Sequence, residues 1–216
     1  MRLYLASTSP ARLATLRAAG IEPILVSSGV DEEEAVEAAG PLIATEMVLL
    51  LARLKAEAVV GRLVDGEPID GFILGGDSAF EIDGAVYGKP HLPEVARERW
   101  LAQRGREGYL HSGHWLIDHR ASSLASVPEP IEGRGGVSTA AVRFADSITD
   151  AEIDAYIATG EPLEVAGAFT IDSLGGAFIS EVHGDPHAVV GLSLALVREL
   201  LIEFDVSWPD LWTGKL

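Results

Sequence analysis

Apolar residues along this chain come in short clusters whose spacing alternates between strand-like and helix-like periods. Leu3–Ala6 is an unbroken apolar run and reads as a short buried strand. Ser7-Thr8-Ser9-Pro10 follows as a helix-start signal. Ser9 suits the N-cap and Pro10 the first helical position, where a missing N–H costs nothing. Leu13, Leu16 and Arg17 continue at helical spacing and Gly20 is a natural stop, which predicts a helix over Pro10–Ala19. Pro23–Ser27 reads as a second strand running into an acidic loop, Asp31–Glu34. From Pro41 to Val60 the pattern is helical, with Met47, Leu50, Leu51, Leu54 and Ala58 on one face. Phe72-Ile73-Leu74-Gly75 reads as a buried strand ending at Gly76-Asp77-Ser78, and Asp83-Gly84 as a hairpin turn. Pro93–Arg104 is helical; His114–Asp118 and Val137–Phe144 are strands; Arg120–Gly136, rich in Ser, Pro and Gly, reads as a mobile loop. Thr149-Asp150-Ala151-Glu152 has the form of a capping box, followed by an apolar face of Ile153, Tyr156 and Ile157 and a stop at Gly160. Ala177–Val182 is a further strand, and Val197, Leu200, Leu201 and Phe204 mark the last helix. The tail, Asp205–Leu216, shows no clear pattern. The alternation predicts an α/β fold with a sheet parallel in part. No break in composition divides the chain, so one domain over residues 1–216 is expected.

Composition narrows the function classes. The formal net charge of −17 argues against a nucleic-acid polymer as partner, which would need a basic face to displace counterions. A small anion remains possible, because a few Arg and Lys residues or a divalent cation reverse the field locally. With no cysteine, neither disulfides nor thiolate metal sites are available. No apolar run reaches the length of a membrane span and no signal peptide is legible, so no membrane partner and a cytoplasmic location are expected.

Several residues could carry chemistry. A strand feeding straight into a capped helix gathers free N–H groups, the hydroxyls of Ser7, Thr8 and Ser9, and Arg12 around one point, an arrangement that favours a phosphate; the alternative is an ordinary strand-helix turn. Asp77 follows an apolar strand and two glycines, the position of a crevice-facing carboxylate; the alternative is a turn aspartate bonding its own backbone. Lys89, in Gly88-Lys89-Pro90, could present a point charge to phosphate or belong to an ordinary turn. Lys55 lies beside the apolar face of its helix and either reaches an anion or, more commonly for such a lysine, snorkels to solvent. At most one or two carboxylates of Asp31–Glu34 could ligate a hard divalent cation, since acidic runs are usually solvated surface. His183 and His187 are separated by Gly184-Asp185-Pro186, which forbids a helical zinc pair, and both read as loop residues. No Ser-His-Asp set, Walker A or Rossmann glycine fingerprint is present.

Taken in order, these motifs resemble the Maf family of nucleoside triphosphate pyrophosphatases. Leu5-Ala6-Ser7-Thr8-Ser9-Pro10-Ala11-Arg12 is similar to the family's LASxSPRR, and Val30-Asp31-Glu32 to its acidic motif. Lys55-Ala56 resembles its KA, Gly76-Asp77-Ser78 its ADT, and Gly88-Lys89-Pro90 its GKP. Gly160-Glu161-Pro162, Ala166-Gly167-Ala168-Phe169 and Val190-Gly191-Leu192 resemble GEP, AGAY and VGLP. The likeness runs from about residue 3 to residue 202. It implies an elongated mixed sheet flanked by helices, with two lobes around a cleft as in inosine triphosphate pyrophosphatases, and often a homodimer. It further implies hydrolysis of a nucleoside triphosphate between the α and β phosphates with Mg2+ or Mn2+. Asp77 would then be the general base and, with Glu32, a metal ligand. Ser7, Ser9, Arg12, Lys55, Ser78 and Lys89 would hold the triphosphate, and Asp172 would face the base.

The chain departs from that pattern in places. The first of the paired arginines is Ala11, and ADT becomes Gly76-Asp77-Ser78. The family's Gly-Arg-x-His is blurred to Gly105-Arg106-Glu107-Gly108. Where the dTTP/UTP-preferring branch has a glutamine, this chain has Asp172, and an ionised carboxylate only accepts hydrogen bonds. This counts against a dTTP/UTP preference. Two other readings compete: an inosine triphosphate pyrophosphatase, whose glycine- and asparagine-rich opening is missing here, and a low-turnover nucleotide-binding regulator of cell division, for which Ala11 and Asp172 would speak.

Overall fold

The computed structural model describes residues 1–120 and 133–213 of the chain. In order, the elements are β1 (Leu3–Ala6), α1 (Pro10–Ala18), β2 (Ile24–Leu25), α2 (Glu32–Ala39), α3 (Ala44–Glu57), β3 (Leu63–Val64), β4 (Glu67–Pro68), β5 (Gly71–Ile82), β6 (Ala85–Tyr87) and α4 (Pro93–Gln103). They continue with β7 (Glu107–His119), β8 (Gly133–Phe144), α5 (Asp150–Ala158), β9 (Ile179–His183), α6 (Pro186–Val190) and α7 (Leu194–Ile202). Seven strands form one mixed sheet in the order β2-β1-β5-β7-β8-β9, with β6 paired to β5. The mixed α/β class expected from the alternation is therefore the one observed. The chain divides into two compact units, and β5, β7 and β8 contribute residues to both.

The first unit comprises Met1–Asp77, Ser112–Val137 and Gly191–Leu216. Here β1 runs parallel to β2 and to β5, with Leu3 opposite Phe72 and Ala6 opposite Gly75. The period-two alternation sorts its side chains onto two faces. Leu3, Leu5, Phe72 and Leu74 pack with Leu16 of α1, Val197, Leu200 and Leu201 of α7, and Leu211. Tyr4, Ala6 and Ile73 pack with Ala56, Val59 and Ile117. The tail thus joins the core through Leu211, in a 3-10 turn over Trp208–Leu211.

Helix α3 corrects the expected apolar face. Its buried residues are Ala44, Val48, Leu51, Ala52, Lys55 and Ala56, while Met47, Leu50 and Leu54 are only partly covered. Two glycines explain the choice of small residues. A Cβ on Gly75 would overlap the Ala52 carbonyl oxygen, and one on Gly113 the Val48 carbonyl oxygen. The helix backbone therefore lies directly on the strands, where larger residues would hold it off.

The second unit comprises Ser78–His111 and Ser138–Val190. Asp83 and Gly84 both have positive φ, 52° and 76°, as a two-residue hairpin turn between β5 and β6 requires. Strands β8 and β9 pair antiparallel. Phe80, Trp100, Phe144, Tyr156 and Phe169 form the centre of its core. The capping box at Thr149 and Glu152 is present as predicted. Other expectations shift. Ala177 lies in a 3-10 turn and the strand begins at Ile179. His183 ends β9 and His187 sits in α6, so neither is a plain loop residue. Of the predicted loop Arg120–Gly136, Gly133–Gly136 belong to β8, and residues 121–132 lie outside the described residues.

Glu161 ties down a turn in this unit. Its carboxylate accepts from Tyr156 Oη (2.9 Å), Thr170 Oγ1, Ser173 Oγ (2.8 Å) and the Gly175 N–H (3.1 Å). Burial opposes ionisation, but the bonds from Thr170, Ser173, Gly175 and Tyr156 outweigh it and lower the pKa from 4.5 to about 2. A depressed carboxylate pKa stabilises the fold above the unfolded value and loses that contribution as pH falls through the folded one. Wild type should therefore lose more stability between pH 4.5 and 2 than Glu161→Gln does. Urea midpoints measured across that range check this, and parallel curves for the two proteins would exclude it.

Candidate functional site

In the first unit, β1 delivers Ser7 to the start of α1, as the sequence predicts. Ser9 caps the helix by accepting from the Arg12 N–H at 3.4 Å, and Pro10 occupies the first turn. Much of the expected anion-binding capacity, however, is taken up by the protein itself. Ser7 Oγ accepts from the Ser9 N–H (3.2 Å) and from Arg12 Nη1 (3.0 Å). Arg12 Nε donates to the Gly191 carbonyl at 2.8 Å. The guanidinium is buried, which lowers its pKa against the opposing pull of Asp77 and Glu32. Arg12 thus fixes the Ser7 hydroxyl and the Gly191 backbone and adds its charge to the field around Asp77.

Asp77 is not at a strand end. Strand β5 passes through Gly75 and Gly76 without a break and continues to Ile82, so Asp77 is a strand residue, only 7% exposed, and the turn-aspartate reading falls. Gly75 and Asp77 point to the same face, two residues apart. Because α3 lies flush on Gly75, Lys55, one turn beyond Ala52, is carried onto Asp77. Its ammonium donates to Asp77 Oδ1 at 2.7 Å and pairs with Glu32 Oε1 at 2.7 Å. Lys55 is therefore buried between two carboxylates and does not snorkel. Burial pushes the Asp77 carboxyl above its ordinary range, against the opposing charges of Lys55 and Arg12.

Glu32 arrives on an element that the sequence reading missed. Asp31 is the N-cap of α2, accepting from the Glu34 N–H at 3.0 Å, and Glu32–Glu34 form its first turn rather than a loop. Acidic residues favour that end of the helix dipole. Asp31 followed by Glu34 at cap spacing was the signal for it. Glu32 remains 53% exposed, so this carboxylate meets both the buried Lys55 and solvent.

Ser7, Ser9, Arg12, Glu32, Lys55 and Asp77 thus fall into two hydrogen-bonded groups within one unit, Ser7–Ser9–Arg12 and Glu32–Lys55–Asp77. Ser78, Lys89 and Asp172 belong to the second unit. There Ser78 follows Asp77 in β5, Lys89 is exposed after β6, and Asp172 is exposed in the turn that Glu161 ties down. The sequence reading passed over Gly113, which seats α3, and His114, whose Nε2 accepts from the buried Ser193 N–H at 2.7 Å. A glycine inside a strand-like run was the available signal for the first.

Asp77 and Glu32 are hard oxygen donors converging on one positive charge, a set that suits Mg2+ or Mn2+. Among the described residues no cluster of three or more His, Cys, Asp or Glu side chains could hold a metal alone. No helix among them is long and apolar enough to cross a membrane.

Known proteins similar to the chain agree in one direction. A family model described as Maf-like protein matches residues 2–204. A protein of Leifsonia xyli named nucleoside triphosphate pyrophosphatase is 67% identical over 98% of this chain and 97% of its own length. One of Salinispora tropica with the same name is 48% identical over 99% and 88%. Among solved structures, the Ham1 protein of Staphylococcus aureus matches 68% of this chain and 73% of its own at 17% identity and a TM-score of 0.40, too distant a likeness to inform the chemistry. With a family model spanning nearly its whole length and relatives this similar, the chain belongs to the Maf-like protein family.

Proposed function

We propose that the protein is a nucleoside triphosphate pyrophosphatase, which hydrolyses the α–β anhydride to a nucleoside monophosphate and pyrophosphate. The observation that carries this reading is the buried carboxylate of Asp77, held by Lys55 against Glu32, in a chain whose relatives bear that name. Water adds to the α phosphorus, its proton passes to Asp77, and the bond to the bridging oxygen breaks as pyrophosphate leaves with the electron pair. A carboxylate whose pKa is raised by burial holds that proton better than an ordinary one does. Charge developing on the leaving group needs fixed cations and donors. Lys55, the Ser7 hydroxyl and the field of Arg12 supply them in the first unit. We assign Ser9 to shaping the loop. Glu32 and Asp77 would hold a divalent cation, which supplies Lewis-acid neutralisation of the triphosphate. From such a substrate we infer a cytoplasmic location.

The test is pyrophosphate release across a panel of common and modified nucleoside triphosphates, with Mg2+, Mn2+ or a chelator. Expected is metal-dependent pyrophosphate matched mole for mole by monophosphate, without a preference for dTTP or UTP. Binding of nucleotide with no release from any member of the panel would sink the enzyme reading.

A further inference from the structure

Lys55 Nζ stands 2.7 Å from Asp77 Oδ1 and 2.7 Å from Glu32 Oε1. We propose that this ammonium is the protein's own stand-in for the divalent cation. It neutralises the two carboxylates in the nucleotide-free protein and gives them up only when cation and nucleotide bind together. The inference rests on the reading of Glu32 and Asp77 as the cation's ligands.

Space and charge both support an exchange. Both oxygens face Nζ, so a cation drawn to the same two carboxylates would compete with the ammonium for them. Two positive centres so close, beside a buried carboxylate, repel strongly. The local charges already balance, Asp77 and Glu32 against Lys55 and Arg12, whose mutual influence is felt in the pKa values of Arg12 and Asp77. A dication added alone leaves excess positive charge in a buried place. A triphosphate brought with it removes that excess and offers the displaced ammonium a new anion. The donor count points the same way. Two carboxylates are too few to complete a coordination shell, and the described residues add no third acidic or histidine ligand. The remaining ligands must be water and phosphate oxygens. Cation and nucleotide therefore bind with positive coupling, which is reciprocal by thermodynamic necessity.

The test is the Mn2+ affinity of the nucleotide-free protein, read from the electron paramagnetic resonance of free Mn2+ and from calorimetry. Wild type should bind weakly, and Lys55→Met, which keeps the stem and removes the charge, about tenfold or more tightly. Lys55→Arg should stay as weak as wild type. Mn2+ should raise the Tm of Lys55→Met well beyond its effect on wild type. Adding Glu32→Gln to Lys55→Met should abolish the gain. A Lys55→Met protein that binds Mn2+ no more tightly than wild type overturns the proposal, and so does a gain that survives Glu32→Gln. If Lys55→Met folds only with Mn2+, the proposal is supported; if it stays unfolded at millimolar Mn2+, it is overturned. Failure here is distinct from failure of the enzymatic reading, which stands or falls on pyrophosphate release by the wild type.

Discussion

Asp77→Asn is expected to lower kcat by about a thousandfold or more while nucleotide still binds. Asparagine keeps the shape of the side chain and a hydrogen-bond acceptor for Lys55, so the local packing of β5 against α3 has no reason to change. What it removes is the capacity to take a proton from water and one of the two ionised donors that suit a divalent cation. Both losses act on the chemical step more than on nucleotide binding, which we assign to Ser7 and Lys55 of the same unit. The pH profile supplies a second readout. Because Asp77 must be ionised to accept the proton, and burial raises its pKa in the free protein, the acid limb of wild-type kcat/KM, which reports the free enzyme, should have its midpoint above the 3.8 of an ordinary aspartate. The limb should be absent from the residual activity of the variant. Retention of more than about a tenth of wild-type turnover by Asp77→Asn would transfer the role of base to another residue, and Glu32 would be the first to test.

How the sequence announced this site, and where it misled, follows from one packing decision. Strand β1, helix α1 and their junction at Ser9-Pro10 were legible because caps and proline act locally. The acidic run at Glu32 looked like a solvated loop because α2 buries none of its residues and so lacks an apolar stripe. The face of α3 was misread for the opposite reason. Large apolar residues suggest burial, and Leu51 is buried, but where this helix meets the sheet at Gly75 and Gly113 it does so through Val48, Ala52 and Ala56. Gly75 and Gly76 make β5 appear to end at Gly76-Asp77-Ser78, since glycine weakens a strand unless another backbone must approach it. Lys55 therefore looked free to snorkel. Its burial depends on a contact between segments some 20 residues apart, which no local pattern encodes.

The second large effect lies in the core of the other unit, where Trp100→Ala should destabilise the protein by about 3–5 kcal/mol. Trp100 is fully buried and meets Phe144, Tyr156 and Phe178 edge-on, with ring centroids 5.4, 5.2 and 5.5 Å away. Truncation opens a cavity among rings that cannot collapse into it without tilting. It also orphans the Ala168 carbonyl, which accepts from the indole Nε1 at 2.7 Å. That carbonyl belongs to a strained turn, with Gly167 and Ala168 both at positive φ, 72° and 60°. One turn along α4, Gln103 holds the Gly167 carbonyl at 3.0 Å. Helix α4 thus fixes two successive peptides immediately before the segment that carries Asp172. Trp100→Phe separates the two contributions. It keeps most of the ring packing and loses the N–H, so it should cost about 1–3 kcal/mol. Urea denaturation of the three proteins measures both steps. If Trp100→Ala costs less than about 1 kcal/mol, the rings are not the centre of this core. If Trp100→Phe costs as much as Trp100→Ala, the hydrogen bond to Ala168, and not the packing, is what holds the turn.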